Sequence, residues 1–153
     1  MNYWLMKSEP DAFSISDLEK RPKKTEPWDG IRNYQARNFM RDGMKKGDLV
    51  FFYHSSCEVP GIVGVMKVVK EAYPDSTQFD SNSKYFDSSS KVDDPRWLRV
   101  DVQLVEKFND VITLTKLKEQ PFLADMQLLK KGNRLSILPV TEEQWHYILG
   151  MKK

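Results

Sequence analysis

An α+β domain built on a small, curled, mostly antiparallel sheet of about five or six strands, with short flanking helices, is the fold class this sequence predicts. Three observations carry that prediction. Two apolar runs rich in β-branched and aromatic residues, DLVFFYHSS (48–56) and GIVGVMKVVKEA (61–72), are separated by Pro60-Gly61, the pattern of two adjacent antiparallel strands. Residues 97–107 alternate, with Leu98, Val100, Val102 and Leu104 on one side and Arg99, Asp101 and Gln103 on the other, as a half-buried strand does. The helical signals are brief and interleaved with the strands.

Taken in order, NYWLM (2–6) reads as a first strand that stops in the polar turn Lys7-Ser8-Glu9-Pro10. Ser16 with Glu19 three residues on forms a capping-box pattern for a short helix. Lys20–Pro27 is a basic loop punctuated by proline, and Trp28-Asp29-Gly30 follows it. Tyr34, Phe39 and Met40 then share one face of a helix across 33–42 that Gly43 helps to end. After the two central strands, residues 73–96 are rich in Ser, Asp, Asn and Pro and read as a long surface loop carrying Tyr73, Phe79, Tyr85 and Phe86. Val111–Leu114 adds a short strand, helical turns are expected around Leu117 and 126–129, and a last strand spans 134–138. Thr141 with Gln144 forms the capping box of a final helix, and Val140 with Trp145 its hydrophobic staple.

The chain of 153 residues is long enough for one core of ordinary size, so a single domain over 1–153 is expected. Its 24 basic and 22 acidic side chains nearly cancel, and the small basic excess lies toward the two ends. Charge alone therefore announces no polyanionic partner. Cys57 is the lone cysteine, which excludes an intrachain disulfide and a cysteine-based zinc cluster and fits a reducing, cytoplasmic setting. Apolar stretches such as 49–53 and 61–66 fall far short of a membrane span. Phosphate-binding loops, dinucleotide fingerprints, zinc-protease and serine-hydrolase motifs are all missing, which argues against catalysis and against a bound cofactor or metal.

Trp28 is the residue singled out by physics. It stands between a basic loop and a glycine, outside any periodic apolar segment, and its flat face either stacks on a nucleobase or closes one end of the sheet. Arg37 and Arg41 are helix neighbours able to follow a phosphate backbone, or else solvated charges. His54 ends a strand beside Tyr53 and Ser55-Ser56-Cys57; a Cys57–His54 nucleophile pair has no visible third group to orient it. His146, between Trp145 and Tyr147, reads as structural.

YWLMKSEP (3–10), WDGIRNYQARNF (28–39), FFYHSSC (51–57), PGIVG (60–64), KEAYPDSTQFD (70–80), DPRWLRVDVQLV (94–105) and RLSILPVTEEQW (134–145) follow the order seen in EVE domains, and the chain resembles that family over nearly its whole length. The resemblance implies a PUA-like fold, a small β-barrel with flanking helices related to YTH and ASCH domains, and a pocket that takes a flipped, modified base, with modified cytosine in DNA the leading ligand. It assigns the base pocket to Lys7, Ser8, Trp28, Asn33, Tyr34, Tyr53, His54 and Ser55, with Trp97 as a further member. Arg32, Arg37, Lys84 and Arg96 are the expected phosphate contacts. The expected partner is nucleic acid, DNA before RNA, bound by a monomer with no membrane attachment. Rival readings are an RNA-reading module, an enzyme on nucleic acid using His54, Cys57 and Lys7, and a small-molecule or protein-binding domain.

Overall fold

Consecutive apolar residues in a strand bury both faces of a sheet, and the two central runs of this chain do that. The computed structural model describes residues 1–152. It contains the strands β1 (Tyr3–Ser8), β2 (Thr25–Trp28), β3 (Leu49–His54), β4 (Gly61–Pro74), β5 (Leu98–Thr113) and β6 (Ile137–Val140), with helices α1 (Ile15–Lys20), α2 (Tyr34–Asn38), α3 (Leu114–Lys118) and α4 (Glu142–Leu149). They form one sheet in the order β2-β5-β4-β3-β1-β6. Every pairing is antiparallel except that of β1 with β3. The sheet curls without closing, so β2 and β6 are free edges rather than neighbours in a barrel. Repeated register shifts between β4 and β5 bend those two long strands.

Side-chain alternation sends Trp4, Met6, Val50 and Phe52 into a core on one face, under α1 and α2, and Leu5, Phe51 and Tyr53 into a second core on the other, under α3 and α4. Trp145 of α4 stacks on Phe51 at 3.8 Å, which locks that helix to the centre of the sheet. The first face positions the site. Gly64 of β4 leaves the space that Ile15 of α1 occupies, so α1 and the loop before it sit directly on the sheet.

The first two strand runs, the alternating strand and the Thr141–Gln144 capping box stand as read from the sequence. Other boundaries move. β1 continues through Lys7 and Ser8, because the parallel pairing with β3 and the bond from Lys7 N–H to Ser136 O extend it. Ser14 and Asp17, not Ser16 and Glu19, form the capping box of α1. The end of the basic loop is strand β2, recruited by β5. Residues 111–113 belong to β5 itself, and the last strand begins three residues later than expected. The 73–96 segment is ordered by two buried polar side chains: Asp75, and Gln78, whose amide donates to Asp75 O and Trp97 O and accepts from Trp97 N–H.

Candidate functional site

Parallel pairing of β1 with β3 brings their carboxyl ends to the same edge, with Ser8 opposite His54 and Ser55 N–H donating to Ser8 O at 3.0 Å. Beyond that edge lies a cavity of about 670 Å³, within the roughly 300–1,000 Å³ typical of ligand sites. Lys7 and Ser8 line it from β1, Ser55 and Ser56 from beyond β3, and Phe13 from the loop before α1. Trp28 through Arg32 line it from the end of β2, Lys84 and Tyr85 from the long loop, and Arg134 and Ser136 from the approach to β6.

The turn after β2 and the long loop are latched together. Gly30 adopts φ +80°, and a Cβ there would lie 2.5 Å from the Tyr85 ring, so glycine is needed for both the turn and the approach of that ring. Gly30 N–H donates to the fully buried Asp75 carboxylate at 2.8 Å. Arg32 directs its guanidinium to Tyr85 O, Ile31 O, Thr77 Oγ1 and Asp75. Burial alone would raise the Asp75 carboxyl, but hydrogen bonds from Thr77, Gly30 and Arg32 outweigh it and hold the group below the usual carboxylate range.

Lys7, Ser8, Trp28, Ser55, Arg32 and Lys84 are the sequence-assigned residues that meet at the cavity. Arg32 has five N–H donors, and the bonds just described occupy them, so it anchors the loop rather than presenting a free fork to phosphate. Trp28 is only 7% exposed and packs edge-on with Phe13 and Phe52, at 6.0 and 5.3 Å between ring centroids. It is a core residue whose remaining surface forms cavity wall. The sequence concealed this because the partner strand, β5, lies seventy residues away.

The other assigned residues stand outside the cavity. His54 Nε2 accepts Ile15 N–H at 3.1 Å, tying α1 to β3; burial lowers its pKa, and the occupied lone pair leaves no base for Cys57. Tyr53 faces the second core, its hydroxyl pushed up to about 12 by burial and by Cys57. Asn33 caps α2 by accepting Ala36 N–H. Tyr34 is exposed and lies 4.9 Å from Trp97, with Arg37 above its ring. Trp97 is buried and donates from Nε1 to Asp87, while Arg37 and Arg96 reach Arg96 O and Ser89 O. Asn33, Tyr34, Arg37, Arg96 and the buried Trp97 gather around α2, and none of them lines the cavity.

Phe13, Asp29, Tyr85, Arg134 and Ser136 line the cavity and were not assigned from the sequence. Tyr85 was visible only as an aromatic in a polar loop, and Asp29 only as the neighbour of Trp28. Five basic residues and three acidic ones surround the space: Lys7, Arg21, Arg32, Lys84 and Arg134 against Glu9, Glu26 and Asp29. Arg21 pairs with Glu26 and Arg32 with Asp75, whereas Lys7, Lys84 and Arg134 form no ion pair among the described residues. Burial lowers the pKa of the Lys7 ammonium, a sign that it is held partly out of water. Ser8 Oγ donates to Phe13 O at 2.7 Å, leaving its lone pairs available as acceptors. The combination, aromatic walls with hydroxyls and uncompensated cations, suits a flat polar ring attached to an anion.

The family model of the EVE domain matches residues 2–151. The chain belongs to the EVE domain family. Mouse thymocyte nuclear protein 1 is 50% identical over a gapped alignment of 168 positions that covers 99% of this EVE domain and 74% of the mouse protein. A Pseudomonas syringae protein of known structure is 52% identical and superposes with a TM-score of 0.92, over 97% of this chain and 98% of its own. The structure of human THYN1 in complex with DNA containing 5-methylcytosine is 46% identical, with a TM-score of 0.92 over 99% and 97% of the two chains. Among the described residues, no helix of this EVE domain is long and apolar enough to cross a membrane, and no cluster of three or more His, Cys, Asp or Glu side chains is arranged to hold a metal ion.

Proposed function

We propose that this EVE domain is a DNA-binding reader, not an enzyme, that takes a flipped base, 5-methylcytosine foremost, into the cavity at the ends of β1, β2 and β3. The observation that carries this reading is the cavity's lining, which combines the aromatic rings of Phe13, Trp28 and Tyr85 with four serine hydroxyls and the unpaired cations Lys7, Lys84 and Arg134. Support for DNA as the polymer comes from the likeness to human THYN1 bound to 5-methylcytosine-containing DNA. Extrusion of a base costs a few kcal/mol, offset here by contacts with the base and by phosphates at the cationic rim. A single methyl group provides only about 1–3 kcal/mol of discrimination, so a preference over plain cytosine of roughly tenfold to a hundredfold is expected, not absolute rejection.

The test is a fluorescence-anisotropy titration at several salt concentrations with duplex and single-stranded DNA and RNA carrying cytosine, 5-methylcytosine or 5-hydroxymethylcytosine at one position. Tightest binding to a modified DNA duplex is expected. Lys84→Ala and Arg134→Ala should weaken all sequences alike and each reduce the slope of log affinity against log salt by about one. Equal affinity for modified and plain bases refutes the base-reading function. Tighter binding to RNA refutes the choice of polymer.

A further inference from the structure

5-Methylcytosine and thymine carry the same methyl group on the same ring carbon. They differ along the pairing edge, where cytosine presents an exocyclic amine and thymine a carbonyl oxygen. A pocket that sensed only the methyl would fill with thymine. A hydrogen-bond acceptor placed against the amine rejects thymine, because that acceptor meets the thymine carbonyl lone pair to lone pair and leaves two acceptors unpaired.

We propose that Asp29 is this acceptor and the residue that lets the cavity distinguish a 4-amino pyrimidine from thymine, an inference that rests on the base-reading function proposed above. Three carboxylates line the cavity. Glu26 is engaged by Arg21 at 3.2 Å, and Glu9 sits in the exposed turn after β1. Asp29 stands between Trp28, which walls the cavity, and Gly30, against which the Tyr85 ring lies. The only ion pair it makes among the described residues is with Arg99, at 3.7 Å, and neither carboxylate oxygen accepts a hydrogen bond of normal length from them. At 38% exposure its side chain is open to a ligand, yet its backbone is fixed on both sides, by β2 pairing and by the Gly30–Asp75 bond. Partial burial and the nearby Asp75 charge raise the Asp29 carboxyl above its ordinary value, against the opposing pull of Arg99 and Arg32, with Glu26 adding to the rise. An amine donor placed against Asp29 would relieve that environment; a carbonyl would aggravate it.

The experiment uses DNA duplexes with one variable base opposite an abasic site, so that the opening cost is similar for each base. The variable bases are 5-methylcytosine, cytosine, thymine and 5-methylpyrimidin-2-one, which lacks the amine. The unmodified protein should bind 5-methylcytosine at least tenfold more tightly than thymine and than the amine-free analogue. Asp29→Asn should bring the first ratio to within about twofold, because a carboxamide can turn either its carbonyl or its amide N–H toward the base. Retention of the full 5-methylcytosine over thymine ratio in Asp29→Asn overturns the role of Asp29 while leaving the base reader intact. Equal binding of 5-methylcytosine and the amine-free analogue by the unmodified protein also overturns it, independently of how any variant folds. Failure of the underlying function looks different, since the unmodified protein would then not separate 5-methylcytosine from cytosine.

Discussion

Replacing Asp75 with alanine tests whether the loop that carries Lys84 and Tyr85 is held to the cavity by one buried carboxylate. Asp75 is fully buried and accepts from Gly30 N–H at 2.8 Å, Thr77 N–H at 2.9 Å, the Thr77 hydroxyl, and Arg32 Nη1 at 3.2 Å. Alanine removes every acceptor at once. Each backbone N–H left without a partner costs about 1 kcal/mol or more. Losing one partner of a buried ion pair costs about 3–5 kcal/mol where the survivor is fully buried. Arg32 is 22% exposed and regains part of its hydration, so the pair contributes toward the low end. The sum is a destabilisation of about 5 kcal/mol, read as a lower midpoint in urea at unchanged slope. DNA affinity should fall as well, although Asp75 does not line the cavity, because the Tyr85 ring and Lys84 lose their seat. A variant within about 1 kcal/mol of the unmodified protein, with its DNA affinity intact, would refute the latch.

Two further outcomes concern Trp28 and His54, at the ends of β2 and β3. Trp28→Ala should cost about 3–5 kcal/mol, the range for emptying a large aromatic from a core, so urea melts must accompany any binding assay; stability unchanged within 1 kcal/mol would return Trp28 to the role of an exposed stacking platform. His54 is neutral while Nε2 accepts Ile15 N–H, and its folded-state pKa lies below the unfolded 6.5. The unfolded chain therefore binds the proton first: stability is complete above about pH 6.5 and declines as pH falls from there toward the folded-state pKa. Urea melts at stepped pH should show that decline, and His54→Gln should flatten it; an identical pH profile in the variant would assign the effect elsewhere.

Much of the fold was legible in local pattern. The period-two alternation of 97–107, the paired apolar runs around Pro60 and the Thr141–Gln144 box each describe interactions within a few residues, and each appears where it was expected. Ser14 was missed as the cap of α1 because Ser-x-x-acid occurs twice in register there, at 14–17 and 16–19, and only packing of Ile15 and Leu18 onto the sheet selects the first. Ser8 and Ser55, which the family resemblance assigns to a base pocket, line the cavity, as does Lys84, a phosphate contact expected from its place in the long loop. Asn33, Tyr34 and Trp97 did not, since the same motif blocks that identify the family also contain its caps and its core.

Fold class and family were therefore legible in the chain itself, because strand periodicity, capping and ordered motif blocks are written in contiguous residues. Which side chains face the cavity was decided only in three dimensions. Trp28 turned inward when β2 paired with β5, Arg32 was drawn to Asp75 forty-three residues away, and Arg134 and Asp29 came to the same rim from opposite ends of the chain. Side-chain direction in a strand depends on register, and register here is set by partners that no local pattern names.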